Sequence, residues 1–174
     1  MVLIVLSVIG GLIFYFAFTG PNFGEIYAEK LASGEIVNPV EGLTDEEAIA
    51  AFDETFVYYL LVNIKAYNLH EPPLSDDKPV MKVYVGDEVF NAKVSEGEID
   101  IGRGEINTED IILRTSASEA VKMIRDKSYI EQSFENGESK IELIASETTL
   151  FSKGYLTLYT ELTGKTLSDL GDSE

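Results

Sequence analysis

Side chains that could do chemistry are few and poorly grouped in this sequence. It contains one histidine, His70, and no cysteine, so neither a cluster of histidine metal ligands nor a thiolate nucleophile can be built. His70 lies in a proline-bounded loop, far along the chain from Ser116 and Ser146, which would need it as a catalytic base. Carboxylates are abundant but match no calcium-binding loop. We therefore expect no catalytic residue, no metal site and no cofactor.

Apolar and aromatic side chains give a stronger functional signal. They recur at helical spacing in two segments and alternate in strand-like segments between them, a pattern found both in ordinary cores and in the walls of apolar ligand cavities. If they enclose a cavity between helices and a sheet, we expect the lipid-binding residues to be Phe52, Phe56, Leu60, Val83, Phe90, Met123, Phe151 and Leu158. The alternative is that the same side chains fill a core that holds no ligand.

Two segments with apolar residues at every third or fourth position predict long helices. The first starts at a capping box, in which Thr44 and Glu47 are three residues apart, and ends between about Asn68 and Pro73. The second is predicted from Thr148 to Leu162, although Gly154 weakens its helix propensity.

Alternation of apolar and polar residues predicts the strands between these helices. The predicted strands cover residues 81–85, 90–94, 98–101, 110–114 and 140–145. The first three form a meander, because short glycine turns at Gly86 and Gly97 separate them. A further helix is predicted to start at Ser116. The simplest packing is an α+β fold with a largely antiparallel five-stranded sheet, covered on one face by helices.

The first twenty residues predict a membrane anchor. Residues 2–18 are apolar or small and are followed by Thr19, Gly20 and Pro21. A helix of that length covers about 25 Å, which is enough to cross a bilayer. The alternative is a cleaved secretory signal, but no Lys or Arg precedes the apolar run and no small-residue cleavage site follows it. We expect a single-pass protein of the cell membrane, with its domain on the cytoplasmic side.

Charge limits the choice of partners. The sequence has 31 acidic and 13 basic residues, a formal net charge of -18, and such a surface repels nucleic acid. An acidic surface next to a membrane helix would suit a second function, in which the protein is a scaffold that binds a basic protein partner and no small molecule.

The order of elements from Leu43 to Gly164 resembles the sterol carrier protein type 2 domain. The segments that carry the resemblance are 83–90 and 94–99 as the first hairpin and second turn, 110–115 as the strand entering a helix, and 134–141 as the glycine loop before the last strand. The resemblance implies a non-catalytic domain that holds a fatty or isoprenoid-type lipid in an apolar tunnel.

Together these patterns predict four segments. Residues 1–20 are the transmembrane anchor, 21–42 a juxtamembrane helix and linker, 43–164 the lipid-binding α+β domain, and 165–174 a polar tail. The expected function is a membrane-anchored lipid-binding or lipid-presenting module.

Overall fold

The computed structural model describes residues 21–166, which form seven helices and five strands. The helices are α1 (Phe23–Ser33), α2 (Asp45–Ala50), α3 (Glu54–Asn63), α4 (Ala117–Arg125), α5 (Tyr129–Glu135), α6 (Glu147–Ser152) and α7 (Tyr155–Thr163), with a 3-10 turn at Ala66–Asn68. The strands are β1 (Val80–Val85), β2 (Glu88–Ser95), β3 (Glu98–Arg103), β4 (Ile111–Thr115) and β5 (Lys140–Leu143). The α+β class expected from the sequence is confirmed.

The capping box at the start of α2 is confirmed. The side chain of Thr44 accepts a hydrogen bond from the backbone N–H of Glu47 at 3.2 Å, and the carboxylate of Glu47 accepts one from the N–H of Thr44 at 2.8 Å. These reciprocal bonds satisfy two backbone donors that the first turn would otherwise leave unpaired.

The single long helix predicted after Thr44 is wrong, because the chain forms two helices with a break between them. The carboxylate of Asp53 accepts hydrogen bonds from the backbone N–H groups of Thr55 and Phe56 at 2.8 and 3.4 Å. A cap of this kind is worth about 1 kcal/mol and starts a new helix. Ile49 of the predicted apolar stripe lies in α2, before this break, and is 38% exposed.

The predicted helix from Thr148 to Leu162 is also broken, and this prediction is wrong for a related reason. Gly154 has a φ of 85°, in the left-handed region, where glycine is favoured because it lacks a Cβ atom. It separates α6 from α7, and so the residues on either side of it do not share one helical stripe.

The strand order across the sheet is β3-β2-β1-β4-β5. The predicted meander is confirmed: β1 pairs with β2 and β2 with β3 in antiparallel orientation, and Val83 lies opposite Phe90. β5 is antiparallel to β4, but β4 is parallel to β1, with Met81 opposite Ile111. The sheet is therefore mixed, although it remains mostly antiparallel. The parallel pair arises because the chain crosses from the edge strand β3 to the far side of β1 before β4 begins.

The two faces of the sheet differ in polarity. Met81, Val83 and Val85 of β1 are buried in the core that the helices cover. On the opposite face the guanidinium of Arg114 lies 4.1 Å from the ring centroid of Tyr84 and 2.6 Å from the carboxylate of Glu142. This face of the sheet thus carries charged side chains over the same strands.

Helix α1 is packed onto this core. The phenol of Tyr27 donates a hydrogen bond to the carbonyl of Gly97 at 3.0 Å, and its ring stacks on Tyr67 at a centroid distance of 4.4 Å. The ring of Phe23 occupies the space where a Cβ atom at Gly97 would lie. Ile36 and Val40, which follow the helix, are also buried. The segment predicted as a juxtamembrane helix and linker therefore contributes to the same core as the rest of the described chain.

The predicted membrane anchor, residues 1–20, and most of the predicted polar tail lie outside the described residues and stay predictions. Among the helices of residues 21–166, none is long and apolar enough to cross a bilayer.

Candidate functional site

Most of the residues expected to bind lipid lie in the packed interior. Six of the eight are buried there: Phe56, Leu60, Val83, Phe90, Met123 and Leu158. Phe52 packs against this cluster at its edge, with its ring centroid 4.9 Å from that of Phe56. The eighth, Phe151, is 74% exposed. The structure thus brings seven of the residues together and leaves Phe151 outside.

The space between the helices and the sheet is filled by side chains. Five of the cavities at the surface of the described residues have volumes of about 140 to 400 Å³, and none of these five is lined by Phe56, Leu60, Val83, Phe90 or Met123. Leu61, Met81 and Ile111, which lie in the same cluster, have no exposed surface. The predicted lipid-binding role of these core residues stays a prediction.

Two of the surface cavities adjoin each other along α6 and α7. The larger, about 400 Å³, is lined by Phe151, Gly154, Leu156, Thr157, Thr160 and Glu161. The smaller, about 140 Å³, is lined by Lys65, Asn68, Leu69, His70, Gly154, Thr157, Leu158 and Glu161. They share Gly154, Thr157 and Glu161, and we call the two cavities together the α6–α7 groove. Phe151 and Leu158 are the two members of the predicted lipid-binding set that line it.

Local structure explains why Phe151 faces outward. The side chain of Ser146 accepts a hydrogen bond from the N–H of Thr149 at 3.2 Å and fixes the start of α6. With that start, Leu150 is 3% exposed and lies in the core, so its neighbour Phe151 points away from it. The left-handed Gly154 then redirects the chain, and α7 buries Leu158. The groove is therefore lined by residues on both sides of a helix break.

A buried ionic network adjoins the groove, because it involves Lys153 and Tyr155, the two neighbours of Gly154 in the chain. The ammonium of Lys153, which is 2% exposed, lies 3.0 and 3.1 Å from the two carboxylate oxygens of Asp110. It also donates to the carbonyl of Lys78 at 3.0 Å. The phenol of Tyr155 and the backbone N–H of Val80 donate to the same carboxylate at 3.1 and 2.8 Å. These contacts tie α6 and α7 to the starts of β1 and β4.

The network carries one marked pKa shift. Burial, followed by the charge of Asp110 and the hydrogen bond to it, raises the pKa of Tyr155 far above its usual value. The phenol therefore stays protonated and acts as a donor. Since Asp110 and Lys153 are both buried, the network holds the fold together and offers no reactive group to the groove.

Sequence reasoning missed this network, although some signal was present. Lys153 is the only charged residue between Glu147 and Glu161, within the predicted apolar helix. A lone lysine in such a stripe indicates a buried cation that needs a carboxylate partner. Nothing in the sequence identifies that partner as Asp110, because the pairing depends on how β4 packs.

A second buried polar cluster joins α4, α5 and the start of β5. The carboxylate of Glu119 accepts hydrogen bonds from Tyr129 at 3.0 Å and Ser133 at 3.1 Å, and Lys122 lies 2.7 Å away. Burial alone would raise the pKa of Glu119, but these hydrogen bonds outweigh it and hold the pKa below its usual value. The hydroxyl of Ser133 lies 2.9 Å from that of Ser139. Every one of these polar groups has a partner, and so the cluster indicates structural support.

Within residues 21–166, no three or more His, Asp or Glu side chains are grouped so that they could hold a metal ion. His70 lies in its predicted loop, where its Nδ1 is 3.2 Å from the carbonyl of Glu71, and it lines the groove beside Gly154.

No protein-family model and no curated protein sequence matches the chain. Among solved structures, it is similar to a UbiJ-SCP2 ubiquinone synthesis protein, at 18% identity over 60% of this chain and 84% of that one, with a TM-score of 0.35. It is also similar to sterol carrier protein 2 like 2 from Aedes aegypti, at 13% identity over 56% and 94%, with a TM-score of 0.35. Apo sterol carrier protein 2 from Yarrowia lipolytica matches at 14% identity over 65% and 83%, with a TM-score of 0.31.

Domains of the sterol carrier protein 2 type are thus among the structures that this chain resembles, as the sequence led us to expect.

Proposed function

We propose that this protein is a lipid-binding module that holds the apolar part of its ligand in the α6–α7 groove and presents it beside a membrane. The observation that carries the proposal is the exposed ring of Phe151, which lies with Leu156 around a cavity of about 400 Å³. That volume falls in the range typical of small-molecule sites. No catalytic role is included in this proposal.

The composition of the groove supports an apolar occupant. Phe151 is 74% exposed and Leu156 is half-buried, so both present apolar surface to water in the free protein. Covering such surface contributes about 25 cal/mol per Å² of apolar area removed from water. A hydrocarbon chain laid along Phe151 and Leu156 would gain this stabilisation without requiring a charged partner.

The groove also leads from the surface to the interior residues that the sequence predicts to bind lipid. Leu158 lines the smaller cavity and belongs to the hydrophobic core. A hydrocarbon chain of the ligand that passes Phe151 would reach the core at Leu158, near the helix break at Gly154. Deeper binding among Phe56, Leu60 and the other predicted residues would require α7 to move away from the sheet.

The tether is the second part of the proposal. The predicted anchor ends at residue 20, and α1 begins at Phe23. Since α1 is fastened to the core through Tyr27, Tyr67 and Gly97, an anchored domain would be held within a few residues of the bilayer. This arrangement suits a protein that receives or delivers a membrane lipid.

The test is lipid retention by the full chain and by a variant of the groove. We expect native mass spectrometry of the membrane-extracted protein to show a bound lipid, and Phe151→Ala to lower its occupancy about tenfold, because truncating a central aromatic contact of a binding site costs more than about 1 kcal/mol. Leu74→Ala is the matched control, since Leu74 is fully exposed and lies outside the groove. Wild-type protein that repeatedly purifies empty, or equal occupancy in both variants, would refute the proposal.

The filled interior favours a second candidate function. The supporting observation is that side chains occupy the space between the helices and the sheet, as expected of a scaffold that binds no small molecule. Of the 13 basic residues, all within the described part, eight form ion pairs with Asp or Glu there, so the acidic surplus remains available to a basic protein partner. Crosslinking in intact membranes separates the two functions. A stable basic partner together with empty protein supports the scaffold, and bound lipid without such a partner supports the lipid module.

A further inference from the structure

The smaller cavity of the α6–α7 groove has a polar wall as well as an apolar one. The apolar wall includes Leu69 and Leu158, which are 2% and 5% exposed. The cavity volume is about 140 Å³, whereas a single water needs about 10 to 15 Å³ of such space. The proposed function concerns only the apolar part of the ligand, and this smaller cavity has room for its polar end.

Two polar atoms converge at the point where Gly154 lacks a side chain. A Cβ atom at Gly154 would lie 3.6 Å from Nε2 of His70 and 3.7 Å from the backbone carbonyl oxygen of Asn68. Because glycine has no Cβ atom, a ligand atom can occupy this space. Gly154 lines both cavities of the groove, so the two polar atoms lie beside a residue that a ligand in either cavity would contact.

The hydrogen bonding of His70 defines what its Nε2 can do. The Nδ1 of the ring lies 3.2 Å from the carbonyl oxygen of Glu71. A carbonyl oxygen can only accept, so Nδ1 carries the proton, and in the neutral ring Nε2 presents a lone pair. Within residues 21–166 Nε2 has no hydrogen-bond partner. Nε2 and the carbonyl oxygen of Asn68 are therefore two acceptors that face one space.

The charges around this space balance each other. Lys65 and Glu161 both line the smaller cavity and form an ion pair at 3.3 Å. Helix α7 begins directly after Gly154, and the positive end of its dipole disfavours an ammonium group there. An ionised carboxylate is disfavoured as well, since it has no proton to donate to the two acceptors. A neutral group that donates a hydrogen bond fits the site best.

We propose that the ligand of the α6–α7 groove is a long-chain alcohol, an apolar chain that ends in a free hydroxyl. This inference rests on the proposed lipid function and names the chemical class of its ligand. The hydroxyl donates to Nε2 of His70, and its oxygen can accept from the hydroxyl of Thr157, which lines both cavities. The hydrocarbon chain lies along Phe151 and Leu156 in the larger cavity.

The test is pairwise competition for the full chain, with occupancy read by native mass spectrometry. The probes are 1-dodecanol, its methyl ether, which keeps the oxygen but cannot donate, and dodecanoate. We expect 1-dodecanol to be preferred to the ether by about two- to tenfold, as one hydrogen bond between neutral groups predicts, and to be preferred to dodecanoate too. His70→Phe keeps an aromatic ring but removes the lone pair, and should make occupancy by the alcohol and the ether equal.

Leu74→Ala is the matched control, because Leu74 is fully exposed, lies in the same loop as His70 and lines neither cavity. It should keep the preference for the alcohol. Equal occupancy by alcohol and ether in the wild type, a preference for dodecanoate, or a preference that persists in His70→Phe would overturn this inference while leaving lipid binding in the groove intact. Absence of all three probes from the wild type would instead refute the proposed function itself. If His70→Phe fails to fold, the comparison of alcohol with ether in the wild type decides the matter.

Discussion

Asp110 is the residue at which three parts of the fold meet. Its carboxylate accepts hydrogen bonds from Lys153 at the end of α6, from Tyr155 of α7 and from the backbone of Val80. Its backbone carbonyl accepts from the N–H groups of Ile144 and Ala145 at 2.9 Å each. Asp110 thus joins the starts of β1 and β4 to the residues on either side of Gly154.

Removing the buried ammonium group of Lys153 should therefore lower the free energy of unfolding. We expect Lys153→Met to lower the free energy of unfolding by about 3 to 5 kcal/mol, because Asp110 is left as an unpaired buried charge. Urea denaturation followed by circular dichroism measures this change in the free energy of unfolding. The matched control is Lys65→Met, in which the exposed pair with Glu161 is lost and a change below about 1 kcal/mol is expected. Equal effects of the two substitutions would contradict a stabilising role for the network.

At the scale of elements, the sequence identified most segments but not where they break. Alternation located the strands, and the capping box located α2, because both are local features of the chain. The break at Asp53 does not follow from the sequence because apolar spacing continues across it, and the exposure of Phe151 does not follow because Gly154 within an apolar pattern predicts a weakened helix and not a break. The parallel pairing of β4 with β1 depends on a chain crossing that no local pattern reveals.

The helix break at Gly154 predicts whether a substitution there raises or lowers the stability of the fold. We expect Gly154→Ala to destabilise the protein by about 1 to 2 kcal/mol, because alanine is strained at a φ of 85°. If α6 and α7 were one continuous helix, the same change would stabilise it by about 1 kcal/mol. Thermal unfolding of the two proteins distinguishes these cases, and a raised midpoint would contradict the helix break.

The contact between α3 and β3 predicts a dependence on pH. Arg103 donates to both carboxylate oxygens of Glu54, at 2.8 and 2.9 Å, and mainly through these hydrogen bonds lowers the pKa of Glu54 to about 2. In the unfolded chain this pKa is about 4.3. The contact therefore stabilises the fold above pH about 4.3, and the stabilisation is lost as the pH falls towards 2.

Comparison of wild type with Glu54→Gln between pH 7 and pH 2 measures this effect. We expect the wild type to be more stable at neutral pH and the difference in unfolding free energy to shrink as Glu54 becomes protonated. A difference that stays constant over the whole range would show that the carboxylate charge does not contribute.

At the scale of the whole molecule, the sequence predicted an α+β domain with a large apolar interior, and the structure has one. It could not tell whether that interior is hollow, because residues such as Phe56 and Val83 suit a tunnel wall and a packed core equally well. The candidate site defined by the structure is therefore at the surface and not in the interior. Only the packing of whole elements decides which apolar side chains, such as Phe151, are left uncovered.

Photocrosslinking of the membrane-embedded full chain with a diazirine-bearing lipid tests the central proposal most directly. Peptide mapping by mass spectrometry locates the adducts. If a lipid chain lies in the α6–α7 groove, adducts that an unlabelled lipid competes away will concentrate between Glu147 and Thr163. Adducts confined to α3 and β1, or no competed adduct within the domain, would contradict binding in the groove.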